Sequence, residues 1–200
     1  MRHLLTSFAL SACVFGAQAA DDAALMQRGE DMVMGKCFLC HGATGDSSSP
    51  LYPKLAGQNE AYLLKQLRNF KAGERESSDM RKVVANMDDS DMRAAAYFFS
   101  RQQPSQGKSA YGDMRAVGER LYMQGNPETG LPPCRECHGE KGAGSDVLPR
   151  IAGQHTLYIE TQLNLFEERK RTNDNARMQD IAKRLSVDEA RAVAEYLRGL

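Results

Sequence analysis

Cys37-Phe38-Leu39-Cys40-His41-Gly42 and, 97 residues later, Cys134-Arg135-Glu136-Cys137-His138-Gly139 decide how this chain of 200 residues is built. A Cys-x-x-Cys pair followed at once by histidine is the pattern of covalent c-type haem attachment. Two thioethers hold the vinyl groups of the porphyrin, and the adjacent histidine binds iron from the proximal side. Three other chemistries use the same cysteine spacing: a four-cysteine zinc site, a thioredoxin-like redox pair and disulfides of an exported protein. Zinc and disulfides leave both histidines unexplained, and a thioredoxin motif needs a βαβ context where the flanks here read as helix. The expectation is two covalently bound haem c groups, held by Cys37, Cys40, Cys134 and Cys137, with iron ligated by His41 and His138.

Moving outward from the cysteines, the two halves of the chain repeat one another, the mark of a duplicated domain. At a shift of 96 residues, Pro53-Lys54-Leu55-Ala56-Gly57-Gln58 matches Pro149-Arg150-Ile151-Ala152-Gly153-Gln154, and Tyr62, Gln66, Leu67, Phe70 and Arg75 fall on Tyr158, Gln162, Leu163, Phe166 and Arg171. At a shift of 98, Met80 falls on Met178, Met87 on Leu185, Asp91 on Glu189 and Phe98 on Tyr196. The polar stretch from Arg101 to Ser109, with Pro104 and Gly107 and no apolar period, reads as a linker. The expected organisation is a leader over 1–19, a first domain over 20–102, a linker over 103–109 and a second domain over 110–200. Domains this small are poor in apolar core, and a haem supplies a large apolar body to pack against.

The secondary structure reads as all-α. Helices are expected from Ala24 to Lys36 and from Tyr111 to Gln124, each leading toward a haem motif. Another starts behind Asn59 as cap, runs to Ala72 and stops at Gly73; its counterpart spans Thr156 to Lys170. Terminal helices start near Ser90 and Val187, with acidic first turns that suit the helix dipole.

At the N-terminus, Arg2 and His3 precede the apolar run Leu4 to Gly16, and Ala17-Gln18-Ala19 offers the small residues of a signal-peptidase site, so the mature chain is expected to begin at Ala20 in an exported, periplasmic protein. Leu10-Ser11-Ala12-Cys13 supports a competing reading, a lipoprotein box that acylates Cys13 and tethers the protein to a membrane. No stretch elsewhere is long and apolar enough for a spanning helix. The chain carries 26 basic and 26 acidic side chains, and loss of the leader removes only Arg2. Such a balance points away from nucleic acid.

The sixth position on each iron is the remaining question. Only His41, His138 and His155 survive in the mature chain, too few for two bis-histidine centres. Met178 is the only methionine after the second haem motif. Among Met80, Met87 and Met92, only Met80 superposes on another methionine. The expected iron ligands are therefore His41 with Met80 and His138 with Met178, while His155, aligned with Asn59, reads as a capping or surface residue. Histidine and methionine together favour reduced iron and leave small ligands no open site, so the implied chemistry is outer-sphere electron transfer without catalysis.

Taken together, the paired haem motifs, the Pro-x-Leu/Ile-Ala-Gly-Gln runs, the Tyr-x3-Gln-Leu-x2-Phe helices and the methionines ahead of a final helix resemble the dihaem cytochrome c4 family over essentially the whole mature chain. The resemblance implies two tandem class I cytochrome c domains related by a pseudo-twofold axis, with haem propionate edges facing across the interface. It implies that Pro53 and Pro149 offer carbonyls to the proximal histidines, and it makes Arg75 and Arg171 candidates for propionate contact, against a plain solvated role for each. The implied partners are redox proteins, a respiratory complex as donor and a terminal oxidase or reductase as acceptor. A cytochrome subunit of a periplasmic dehydrogenase and a dihaem peroxidase are the alternatives. Two departures separate the halves: the loop Asn126 to Pro133 has no equal ahead of Cys37, and the methionine loop Glu76 to Asp79 is two residues shorter than Thr172 to Arg177. The two haem environments should differ accordingly.

Overall fold

The computed structural model describes residues 7–108 and 112–200, with side chains from residue 20 onward. The expected cleavage site at Ala17-Gln18-Ala19, the competing Cys13 box and the linker's last residue, Ser109, lie outside the described side chains. The chain is helical: α1 (Ser7–Met32) runs into a π-helical turn (Val33–Cys37), followed by α2 (Phe38–His41), α3 (Glu60–Ala72), α4 (Ser78–Val84) and α5 (Asp89–Ser100). The second half repeats the order with α6 (Gly112–Gln124), α7 (Arg135–His138), α8 (Thr156–Glu167), α9 (Arg177–Ala182) and α10 (Val187–Arg198). Among the described residues there is no sheet, only the isolated antiparallel bridges Arg75 to Arg171 and Asn126 to Leu131. The all-α expectation holds.

The last helix of each half opens with a reciprocal cap. Asp88 accepts from the Asp91 amide while the Asp91 carboxylate accepts from the Asp88 amide, and Ser186 and Glu189 do the same for α10. Such a box satisfies two amides that the first turn leaves without partners. Two helix expectations need correction. The α8 helix stops at Glu167, three residues short of Lys170, because Arg169 turns left-handed at φ 58°. The two methionine segments are polar in sequence yet form the short helices α4 and α9; in α4 the Ser77 hydroxyl accepts from the Met80 amide at 3.3 Å.

In each half the first helix crosses the last. The crossing is close because of one glycine: a β-carbon at Gly29 would collide with the Ala94 carbonyl and stand 2.7 Å from Phe98 Cβ, and one at Gly118 would collide with the Ala192 carbonyl and stand 3.0 Å from Tyr196 Cβ. Gly29 and Gly118 are 89 residues apart, whereas the cysteines are 97 apart. The eight-residue difference is the loop Asn126 to Pro133, so the duplication reaches back through the first helix of each half. The apolar clusters respect the same division. Val33, Leu63, Ala96, Phe98 and Phe99, with Phe70, Val84, Met87, Met92 and Ala95, belong to the first half; Leu121, Tyr122, Leu131, Ile159, Val193, Ala194, Tyr196 and Leu197 belong to the second.

The halves meet through reciprocal polar bonds. Gln58 Nε2 donates to the Arg150 carbonyl at 2.8 Å and Gln58 Oε1 accepts from the Arg150 amide at 2.7 Å. Gln154 mirrors it, donating to the Lys54 carbonyl at 3.0 Å and accepting from the Lys54 amide at 2.9 Å. Each glutamine reads the other half's backbone as a neighbouring strand would. This exchange between equivalent residues is what a pseudo-twofold axis requires.

Candidate functional site

Each haem motif occupies a short helix that begins where the preceding chain cannot continue as regular helix. In the first half the π-helical turn delivers Cys37; in the second, the loop from Gly125 to Pro133 delivers Cys134. A π turn carries an extra residue per turn and is characteristic of functional sites. Gly42 and Gly139, at φ 78° and 77°, then turn the chain away behind each histidine.

The histidines are set alike. His41 is 7% exposed and its Nδ1 lies 2.9 Å from the Pro53 carbonyl; His138 is 8% exposed and its Nδ1 lies 3.1 Å from the Pro149 carbonyl. A carbonyl can only accept, so Nδ1 carries the hydrogen and Nε2 keeps its lone pair, the tautomer a metal ligand needs. Burial pushes both imidazoles below the ordinary histidine value, the proline carbonyls opposing it in part. Both rings are thus held neutral.

The four sulfurs are unbridged. Burial pushes the Cys37 and Cys134 thiols up to about 11. A thioredoxin-like pair requires the opposite shift, toward the thiolate. Among the described residues no group of three or more histidine, cysteine or carboxylate side chains is gathered to hold a bare metal ion. The donor set therefore fits a group that brings its own four equatorial nitrogens and asks the chain for two thiols, one imidazole and one further ligand.

Met80 and Met178 sit half-buried in the first turns of α4 and α9. Met80 packs against the Phe70, Val84 and Met87 cluster, and Met87 and Met92 are core residues of it, 1% and 4% exposed. Tyr52 meets the first motif edge-on, its ring centroid 6.1 Å from that of His41. The Met178 amide donates to Asp174 Oδ2 at 2.6 Å.

Arg75 and Arg171 are not solvated; they are 9% and 7% exposed and lie at the centre of the interface. Arg75 donates to Gln66 Oε1 at 2.8 Å, Tyr158 Oη at 2.9 Å and Gln162 Oε1 at 2.9 Å. Arg171 donates to Gln162 Oε1 at 2.7 Å and Tyr62 Oη at 2.9 Å. Their guanidinium carbons stand 4.6 Å and 4.5 Å over the rings of Phe70 and Phe166. Burial alone would raise the Tyr62 hydroxyl, but the Arg171 and Arg75 charges outweigh it and bring it below its ordinary value. Among the described residues no carboxylate accepts from either arginine. Two buried guanidiniums without a carboxylate are costly, and Arg150, whose backbone meets Gln58 across the interface, has its Nε buried with no partner. This interface is short of anions, which haem carboxylates would supply.

Sequence reading missed three interface residues. Asn59 stands at the cap position of α3 without capping it; its Nδ2 crosses to the Leu148 carbonyl at 2.7 Å and the Ser145 carbonyl at 2.5 Å. His155, at the start of α8, likewise crosses to the Ser47 carbonyl at 2.8 Å through Nε2. Their alignment with each other was the available signal. Asn173, which bonds across the interface, has no counterpart in the repeat and gave none.

The Cytochrome c family profile matches residues 26–105 and 116–200. The chain is 40% identical over 205 residues to cytochrome c4 of Pseudomonas aeruginosa, covering 100% of both. It superposes on the crystal structure of reduced recombinant cytochrome c4 from Pseudomonas stutzeri with a TM-score of 0.83 at 36% identity, over 88% of this chain and 98% of that one. It is also 37% identical to a protein of Stutzerimonas stutzeri named thiosulfate dehydrogenase electron acceptor, over 90% of this chain and 86% of the relative.

Proposed function

This chain belongs to the cytochrome c4 family of dihaem electron-transfer cytochromes, and we propose that it shuttles electrons in the periplasm from a respiratory complex to a terminal oxidase or reductase. In this reading Cys37 and Cys40 attach one haem c and Cys134 and Cys137 the other, while His41 with Met80 and His138 with Met178 close the two irons. Each haem supplies a one-electron iron couple. The chain's residues do the rest. Pro53 and Pro149 orient the imidazoles, Met80 and Met178 would close the irons to water, and Arg75, Arg171 and Arg150 would hold the haem carboxylates. Sites fixed by packing and hydrogen bonds in this way change little between oxidation states, and a small rearrangement is what fast outer-sphere transfer needs.

The observation that carries the reading is the matched pair of buried histidines, each with Nδ1 spent on a proline carbonyl and each answered by a methionine in the first turn of a short helix. Mixing the reduced holoprotein with oxidase-bearing membranes tests it. Saturable oxidation, blocked by an oxidase inhibitor, is expected; oxidation that is negligible or insensitive to the inhibitor contradicts it.

A second reading, service to a periplasmic dehydrogenase, is favoured by the thiosulfate dehydrogenase electron acceptor relative and by the surface beside the first motif. Met34, Phe38 and Leu39 are exposed there, Leu39 at 85%, where the second motif carries Arg135 and Glu136. A stable complex with a dehydrogenase on co-purification would select this reading over a free carrier.

A further inference from the structure

The two methionine segments are held by different parts of the molecule. In the first half, Ser77 caps the helix of Met80 from within its own segment, and among the described residues no hydrogen bond from residues 76–80 reaches the second half. In the second half the segment is anchored across the interface. Asn173 Nδ2 donates to Gln66 Oε1 at 3.0 Å and to Asn69 Oδ1 at 2.8 Å, both on α3 of the first half, and Lys65 Nζ of that helix donates to the Asn173 carbonyl.

From that anchor the chain leads directly to the methionine. Asp174 accepts from the Met178 amide through Oδ2, while its Oδ1 is buried without a partner. Asn175 and Ala176 are both left-handed, at φ 58° and 65°. Alanine in that region is strained, and the conformation persists only where surroundings impose it. On the far side, Gln179 Nε2 donates to the carbonyl of Arg171, the arginine bridged to Arg75. The segment 171–179 is therefore a strained loop pinned at its start to the other domain, with Met178 at its end.

We propose that Asn173 is a positioning residue for Met178: the first domain, through Gln66 and Asn69, holds the second haem's methionine loop, and nothing reciprocal holds Met80. The two extra residues of the second loop supply the reach for this contact. The inference rests on the reading of Met80 and Met178 as iron ligands.

The test uses the oxidised holoprotein and the far-shifted methyl resonance of each iron-bound methionine, assigned with Met80→Ala and Met178→Ala. Resonances are followed against pH and against added imidazole. In Asn173→Ala the Met178 resonance should vanish about one pH unit lower than in the parent, and imidazole should displace Met178 with about tenfold higher affinity, the scale of one or two lost hydrogen bonds. Met80 should not move. Asn69→Ala, a change in the other domain, should act in the same direction on the second haem only. If both haems shift together, or if neither responds to either variant, the inference is overturned. If Met178→Ala abolishes no resonance, the ligand reading itself fails, and the inference with it.

Discussion

Asn59 and His155 stand at one position of the duplicated sequence and do one job with different chemistry, each reaching from a helix start to a carbonyl of the opposite half. The difference is titratable. Burial, opposed in part by the hydrogen bond to the Ser47 carbonyl, brings His155 below its ordinary value. The folded state thus favours the neutral ring, so this contribution to stability is complete above the unfolded pKa of about 6.5 and is lost as pH falls through the lower folded value. Thermal unfolding of the holoprotein should show a decline in Tm below about pH 6.5 that is smaller in His155→Asn, which installs the residue already serving at the equivalent place. An equal decline in both proteins would show that His155 does not contribute. At this scale the sequence was informative about residues that repeat and silent about those that do not. The cysteines, histidines, prolines and both arginines could be picked out because they occur twice, 96 or 97 residues apart. Asn173 could not, since its role depends on a loop length found in one half only.

Among the helices, the long amphipathic ones were legible from apolar period and caps, and their ends were not. The α8 helix yields to a left-handed Arg169 that no turn residue announces. The methionine helices α4 and α9 are too short to show a period, and a side-chain cap within a polar run is what starts α4. The crossing glycines were equally hidden, because the eight-residue loop before the second motif shifts Gly118 out of register with Gly29. Their requirement is testable. Gly118→Ala should force α6 from α10, costing about 1–3 kcal/mol as overpacking does, and about 4–8 °C in Tm for each kcal/mol in a domain of this size. Gly29→Ala should act alike on α1 and α5, and neither should alter the haem spectrum of the folded protein. A Tm within a degree of the parent would mean that the helices part without cost.

For the whole molecule, duplication explains the symmetry, and the departures from it give the two halves different work. The interface is polar, built from Gln58, Gln154, Tyr62, Tyr158 and two buried arginines, so the domains are held by directed bonds and not by apolar area alone. The same interface gathers positive charge that haem carboxylates would balance, and among the described residues its hydrogen bonds reach the methionine loop of the second half alone. The motifs also differ at the surface, with Phe38 and Leu39 exposed in the first where the second carries Arg135 and Glu136. All of this presumes that each half closes its own iron with histidine and methionine. A redox titration of the purified holoprotein, followed through the visible and near-infrared, tests that most directly. The account predicts two one-electron steps from two low-spin haems, each oxidised haem showing the long-wavelength absorption of methionine-bound iron. A high-spin centre that binds carbon monoxide or peroxide in the unaltered protein would contradict it.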